Sequence, residues 1–133
     1  MEINVLTHTV IGCAFKVHNI LGPGFLEKVY ENALKYELDQ LSIEVQQQGK
    51  LPVWYEGHSV GVFFPDLWID KQLIIEIKAV QNLVLEHEMQ LVHYLTATKI
   101  DNGLLINFGP SVQVRRKFRD YKPKHSLNAA EVR

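Results

Sequence analysis

Residues 63–79 read FFPDLWIDKQLIIEIKA, which predicts two apolar strands joined by a short turn. The second strand carries Glu76 and Lys78 among isoleucines. Charged side chains are rare in such surroundings unless they are paired or bind a metal ion. Residues two apart in a strand share a face, so both charges project from the same side of the sheet. The pattern favours a functional site over the alternative, an edge strand with one solvated face, because Ile74 on that face is apolar.

Asp66 can join this pair only if the hairpin has a particular register. A two-residue loop would place Asp66 opposite Ile75 and turn its carboxylate away from Glu76. A three-residue loop at 70–72, or a bulge near Pro65, places Asp66 opposite Glu76 instead. We therefore expect one of these two arrangements.

Helical patterns lie on both sides of the hairpin. A helix over 4–20 is predicted by apolar positions spaced three or four apart, namely Val5, Thr9, Cys13, Val17 and Ile20. After Gly22–Gly24, a second helix over 25–41 has a predicted buried stripe of Leu26, Val29, Tyr30, Ala33, Leu34, Leu38 and Leu41. A third helix is predicted over 85–98.

The strand patterns set the fold class. We expect strands at 45–47, 51–55, 60–69, 73–77, 104–107 and 112–118. Strands that follow one another by hairpins and then continue across a helix predict a mixed central β-sheet flanked by α-helices, of class α/β or α+β. We predict one domain over 1–121 and a loose tail over 122–133.

The composition supports a single globular domain. The 133 residues are 47% hydrophobic and 22% charged, with a net charge of −1. No apolar run approaches the roughly 20 residues of a membrane span, and the amino terminus lacks the basic start of a secretory signal, so we expect no membrane and a cytoplasmic location. The single Cys13 excludes an internal disulfide and a Cys-rich zinc module, and we expect it in the core.

Basic residues are concentrated near the carboxyl end. Residues 115–124 have a net charge of +5, while residues 1–114 have −6. Arg115, Arg116, Lys117 and Arg119 are therefore candidates for phosphate contacts. A solvated strand end and tail is the alternative interpretation.

Two helices carry further polar candidates. Glu27 falls at the edge of the apolar stripe and is expected to face the body of the protein, whereas Glu37 is expected to be a structural partner of a buried amide or arginine. His87, Gln90, Tyr94 and Ala97 share a face of the third helix, which we expect to be covered on both sides. His87-Glu88 does not start a zinc-protease motif, because the residue four after His87 is a leucine.

Several of these residues together resemble a known family. Pro65-Asp66 followed by Glu76-Ile77-Lys78 is similar to the motif of the PD-(D/E)XK nuclease superfamily, which includes restriction endonucleases and RecB-like nucleases. Gly24 to Tyr30 matches the GxxExxY signature of a small family within it, and Gln90 with Tyr94 is similar to the QxxxY motif of RecB-like nucleases. The likeness covers about residues 8–118 and implies a restriction-endonuclease-like core.

The resemblance also implies roles for single residues. Asp66, Glu76 and the carbonyl of Ile77 would bind Mg²⁺ or Mn²⁺, with Glu27 completing or orienting the shell. Lys78 would position or help deprotonate the attacking water, and Gln90 and Tyr94 would orient Lys78 or contact the nucleic-acid backbone.

The expected function is therefore metal-dependent hydrolysis of phosphodiester bonds in nucleic acid, with DNA as the expected substrate. A non-catalytic module that binds nucleic acid or a partner and keeps the nuclease fold is the main alternative, and a structural adaptor is a third. The sequence leaves open RNA as the substrate, the strandedness of the substrate and whether the protein is a monomer or a homodimer.

Overall fold

Three helices and seven strands make up the computed structural model, which describes residues 1–120. The helices are α1 (Ile3–Leu21), α2 (Glu27–Gln40) and α3 (Leu85–Thr98). The predicted bounds of α3 are confirmed, and those of α1 and α2 differ by one or two residues at each end. The predicted tail at 122–133 lies outside the described residues. No helix within residues 1–120 is long and apolar enough to cross a membrane.

Five strands form a mixed sheet, as predicted. They are β1 (Val45–Gln47), β4 (Leu67–Ile69), β5 (Leu73–Lys78), β6 (Asn102–Phe108) and β7 (Val112–Phe118), in the order β1-β4-β5-β6-β7. Strands β5 and β6 are parallel and are connected through α3, and the other neighbours are antiparallel. The two remaining strands, β2 (Leu51–Tyr55) and β3 (His58–Phe63), pair only with each other in a separate hairpin.

The single strand predicted over 60–69 is wrong. The chain leaves the β2–β3 hairpin after Phe63 and enters the five-stranded sheet at Leu67. Pro65 lies in the connecting residues and has no N–H to donate to a strand ladder, which explains an interruption at this position. The break brings Asp66 to the start of β4.

Each face of β5 packs against a different layer. Leu73, Ile75 and Ile77 face α1 and α2, in a core that also includes Cys13, which is buried as predicted. Ile74 packs on the other face with α3 and the β2–β3 hairpin. Because side chains alternate along a strand, Glu76 and Lys78 lie on the α3 face with Ile74.

Three predicted helix faces need correction. Val5 and Ile20 are exposed, and α1 instead buries Leu6, Thr7, Val10, Cys13, Ala14 and Val17. Steps of four residues advance about 40° around a helix, so positions 5 to 17 drift off a single face. Leu26 and Leu41 are exposed because they lie outside the ends of α2. The buried residues of α3 are Leu91, Val92, Leu95 and Thr98, and Tyr94 packs on Phe63, whereas Leu85 and Gln90 of the two predicted covered faces are exposed.

Candidate active site

The β4–β5 hairpin has the three-residue loop that the sequence allowed. Ile69 pairs with Leu73, so residues 70–72 form the loop, and Asp70 and Lys71 have φ values of 53° and 57°. Leu67 pairs with Ile75. The same alignment, continued by one residue, places Asp66 opposite Glu76. The predicted register is confirmed.

Two backbone N–H groups hold the carboxylates of Asp66 and Glu76, one from Asp66 itself and one from Ile77, the residue after Glu76. The backbone N–H of Asp66 donates to Glu76 Oε2 over 2.9 Å, and the N–H of Ile77 donates to Asp66 Oδ2 over 2.8 Å. These two hydrogen bonds hold both carboxylates at the same end of the sheet, where β4 begins and β5 ends. The N–H and C=O of one strand residue point to the same side of the strand, so the carbonyl of Ile77 also points toward Asp66.

Burial and neighbouring negative charge raise the pKa values of both carboxylates. Burial, followed by repulsion from Asp66, raises the pKa of Glu76 to about 8. Burial is also the main cause that raises the pKa of Asp66, with repulsion from Glu31 contributing, whereas the positive charge of Lys78 lowers both pKa values. The site therefore holds more negative charge than its surroundings stabilise.

A hard divalent cation suits this donor set. Carboxylate and carbonyl oxygens are the ligands that Mg²⁺ and Mn²⁺ prefer, and a cation would relieve the repulsion between Asp66 and Glu76. Among residues 1–120, no group of three or more His, Cys, Asp or Glu side chains could hold a metal ion. Two carboxylates, a backbone carbonyl and water would make up the shell, which fits an ion that keeps several waters.

Glu27 does not face the body of the protein, which corrects the helical-wheel prediction. Residues 26–29 are all exposed, and burial on α2 begins at Tyr30. The first turn of α2 therefore lies outside the packed core, so the position of Glu27 around the helix does not decide its burial. Its proposed place in a metal shell stays a prediction.

Glu31, one turn later, is the acidic side chain of α2 that reaches the site. It is only 3% exposed and accepts hydrogen bonds from Nε2 of Gln47 at 2.5 Å and of Gln48 at 3.2 Å. Gln48 Nε2 also lies 3.3 Å from Asp66 Oδ1. Sequence reasoning missed Glu31, although a usable signal existed: Glu31 shares a helix face with Leu34 and Leu38.

Tyr30 of the GxxExxY-like segment shapes the turn between α1 and α2. Its hydroxyl donates to the carbonyl of Gly22 over 2.7 Å and accepts the N–H of Phe25 over 3.2 Å. Its ring stacks on Phe108, with ring centres 4.7 Å apart. Gly24 in this turn has a φ of 107°, which a residue with a side chain rarely adopts. In this structure the motif's tyrosine is a packing and turn residue.

Gln90 and Tyr94 lie on α3 with different exposures. Gln90 is exposed, while Tyr94 stacks on Phe63 with ring centres 3.9 Å apart and so joins α3 to the β2–β3 hairpin. Their predicted action on Lys78 or on a nucleic-acid backbone stays a prediction.

The basic residues of β7 have partners within the protein. Lys117 is 7% exposed and lies 2.5 Å from Glu88 Oε1, and Arg115 lies 4.0 Å from the other oxygen of Glu88. Arg116 donates to Asn4 over 2.8 Å, and Arg119 forms a 3.0 Å ion pair with Asp101. Burial removes Lys117 from reach of a phosphate, so its proposed phosphate contact is not supported. Arg115 and Arg119 remain partly exposed.

The partner predicted for Glu37 is also wrong. Glu37 pairs with Lys16 over 2.8 Å, and most of the Lys16 side chain is exposed, so the partner is neither a buried amide nor an arginine. This ion pair lies between α1 and α2, two to three turns along α2 from Glu27.

Comparison with known proteins places this geometry in a family. The model of the PD-(D/E)XK nuclease superfamily matches residues 4–119. No curated protein matches the chain significantly. Among solved structures, one described as SSO0001 superposes with a TM-score of 0.54 and 19% identity, covering 78% of this chain and 55% of that one.

A second solved structure is an alkaline exonuclease from Laribacter hongkongensis, with a TM-score of 0.51 and 12% identity, covering 79% of this chain and 60% of the exonuclease. The chain thus spans somewhat more than half of each of these two structures. The five-stranded mixed sheet with flanking helices is a restriction-endonuclease-like fold. The family match covers nearly the whole described chain, so the protein belongs to the PD-(D/E)XK nuclease superfamily.

Proposed function

We propose that this protein is a Mg²⁺- or Mn²⁺-dependent nuclease that hydrolyses phosphodiester bonds of DNA. Superfamily membership supports a nuclease that acts on nucleic acid. The observation that carries the proposal is the pair of hydrogen bonds that hold the two carboxylates side by side, from the Asp66 N–H to Glu76 and from the Ile77 N–H to Asp66, with Lys78 on the face that carries Glu76. We further propose that the protein works in the cytoplasm.

In the proposed mechanism, Asp66, Glu76 and the Ile77 carbonyl hold the cation. When bound, a divalent ion activates water as a nucleophile and stabilises charge on the phosphate. Lys78 positions the attacking water and offsets negative charge as the water oxygen bonds to phosphorus. The bond from phosphorus to the departing sugar oxygen breaks, and that oxygen takes up a proton in place of the one that the attacking water gives up, so that one water is added across the bond.

The remaining site residues have proposed supporting roles. Helix α3 packs on the sheet face that carries Glu76 and Lys78. This supports the proposal that Gln90 and Tyr94 orient Lys78 or contact the nucleic-acid backbone. Arg115 and Arg119 are partly exposed on and just after β7 and are proposed phosphate contacts.

The proposal is tested by incubating the protein with labelled single- and double-stranded DNA and RNA. Parallel reactions contain Mg²⁺, Mn²⁺ or EDTA, and Glu76→Ala protein is the matched control. We expect cleavage of DNA that EDTA and Glu76→Ala both abolish. Wild-type protein that binds Mn²⁺ and nucleic acid yet cleaves none of the four substrates would instead indicate a non-catalytic binding module.

A further inference from the structure

We propose that Gln48, backed by the buried Glu31, is a positioning residue that holds the Asp66 carboxylate in the orientation needed to bind the cation. The inference deepens the proposed function and rests on it. Gln48 lies outside the motifs that resemble the superfamily, and Glu31 directly follows the GxxExxY-like segment that ends at Tyr30.

Gln48 contacts Asp66 through both its backbone and its side chain. The N–H of Gln48 donates to the Asp66 carbonyl over 3.0 Å, and Nε2 lies 3.3 Å from Asp66 Oδ1. The opposite carboxylate oxygen, Oδ2, accepts the N–H of Ile77. Donors from two different segments thus hold the two oxygens of Asp66, which restricts rotation of the carboxylate.

The backbone of Gln48 is specialised for this position. Its φ of 55° lies in the left-handed region, which non-glycine residues adopt infrequently. Gln48 comes directly after the short strand β1, so this turn directs both its N–H and its amide toward the residue that precedes β4. Local strain at such a turn is sustained by the contacts around it.

Glu31 determines which end of the Gln48 amide faces Asp66. Glu31 Oε1 and Oε2 lie 3.2 and 3.3 Å from Gln48 Nε2, and Asp66 Oδ1 lies 3.3 Å from the same nitrogen. Ionised carboxylates only accept hydrogen bonds, so the NH₂ group, with its two donors, is the end that can lie between them. Glu31 is itself held by Lys28 and Gln47, at 2.8 and 2.5 Å.

Removing the bridge should release Asp66 from the cation site. Without the Gln48 amide, Asp66 Oδ1 loses its side-chain donor and the carboxylate is left with the Ile77 N–H on Oδ2, so it can rotate out of its orientation. Partners that orient a metal ligand are typically worth about 10- to 100-fold in metal affinity or activity. We expect an effect of this size on Mn²⁺ affinity from Gln48→Ala.

The experiment compares wild-type protein with Gln48→Ala and Glu31→Gln by calorimetric titration with Mn²⁺. Glu37→Gln is the matched control for Glu31→Gln, because Glu37 also lies on α2 but pairs with Lys16 rather than with Gln48. Gln48 is exposed, so its variant should fold even if Glu31→Gln does not. We expect Mn²⁺ binding about 10- to 100-fold weaker in Gln48→Ala and unchanged in Glu37→Gln.

Two further measurements separate positioning from a merely structural role. Cleavage by Gln48→Ala should require more Mn²⁺ but approach the wild-type rate at saturation, and a crystal structure of the variant should show a rotated Asp66 carboxylate. Wild-type Mn²⁺ affinity together with an unmoved Asp66 would overturn the proposal. Wild-type protein that cleaves nothing would refute the nuclease proposal, while the Mn²⁺ affinity and Asp66 orientation would still decide the role of Gln48. If the wild-type protein binds no Mn²⁺, the orientation of the Asp66 carboxylate in Gln48→Ala, compared with the wild type, alone decides the role of Gln48.

Discussion

Lys78 and Glu76 share a face of β5 but are expected to contribute differently to the reaction. Lys78→Ala removes a positive charge from an acidic site, so Mn²⁺ affinity should stay equal or increase. The cleavage rate should fall at least ~10²-fold, the usual scale for a lost proton-transfer or charge-stabilising group. Calorimetric titration beside a cleavage assay measures both effects.

Ligand variants provide the comparison for this prediction. Asp66→Ala and Glu76→Ala should lose ion binding and cleavage together, because one carboxylate is insufficient to hold a reluctantly dehydrated Mg²⁺. If Lys78→Ala loses Mn²⁺ as fully as Glu76→Ala does, then Lys78 is a structural counter-charge and the mechanism is wrong.

The raised pKa of Glu76 predicts how stability varies with pH in the absence of metal. The unfolded chain releases this proton near 4.5 and the folded protein near 8, so between these values the folded state binds more protons. The contribution of Glu76 to the free energy of unfolding should be greatest below pH 4.5, fall by at most about 1.4 kcal/mol per pH unit as pH rises toward 8, and then level off. Urea unfolding in EDTA at pH 5 and pH 8 measures the difference.

Glu76→Gln cannot titrate and should lose this part of the pH dependence. Glu37→Gln should retain it, because Glu37 pairs with Lys16 rather than with a residue of the site. A Glu76→Gln protein with the wild-type difference between pH 5 and pH 8 would assign the titration to another group.

At the scale of elements, β7 combines residues that stabilise the fold with candidates for phosphate binding. Lys117→Ala leaves Glu88 in a mostly buried position with one cation fewer and should lower the free energy of unfolding by up to about 3–5 kcal/mol.

Arg119→Ala breaks an exposed ion pair and should lower the free energy of unfolding by less than about 1 kcal/mol. If Arg119 contacts phosphate, its loss should lower the salt dependence of DNA binding by roughly 0.7–0.9 in slope.

Urea unfolding and salt-dependent binding titrations distinguish these roles. Arg115→Ala serves as a second test of the phosphate contact, since Arg115 is also partly exposed. An unchanged salt slope in both arginine variants would leave the basic strand with a structural role only.

The connection from β5 to α3 depends on a buried amide of β6. Asn107 is fully buried, and its side chain exchanges two hydrogen bonds of 2.9 Å with the backbone of Val80, two residues after Lys78. Asn107→Ala leaves the partly buried backbone groups of Val80 without these bonds, at a cost of up to about 1–3 kcal/mol each. We expect lower thermal stability and slower cleavage, because the segment after Lys78 loses its anchor.

Gly109→Ala tests the same contact sterically. An added Cβ would lie 2.2 Å from the Val80 carbonyl oxygen, so that segment would have to move. Gly61→Ala, where open space surrounds the position, is the control. Wild-type cleavage by both Asn107→Ala and Gly109→Ala would show that this anchor does not influence Lys78.

At the scale of the whole molecule, the proposed cation should stabilise the fold, and more strongly at high pH. An ion that binds only the folded state adds about 2.7 kcal/mol at 100 times its dissociation constant. Protons compete for Glu76 below its pKa of about 8, so Mn²⁺ should raise the melting temperature more at pH 8 than at pH 5. Asp66→Ala should show little shift at either pH, and equal wild-type shifts would contradict proton competition at Glu76.

Local sequence patterns were sufficient for the parts of the site that lie close together along the chain. Helix α3 and the three-residue loop before β5 follow from residue periodicity and turn length, which act over a few residues. A three-residue loop sets the register of the hairpin, and strand alternation then predicts that Asp66, Glu76 and Lys78 share one face of the sheet.

Only the tertiary structure decided which residues surround Asp66, Glu76 and Lys78. Glu31 and Gln48 meet because α2 packs beside β1. Gln48 reaches Asp66 because β1 ends and β4 begins at the same end of the sheet. Glu27 is exposed although its helical position resembles that of a buried residue, because the first turn of α2 extends beyond the core. Periodicity describes the faces of a helix, whereas burial depends on what packs against each turn, and that is a property of the assembled fold.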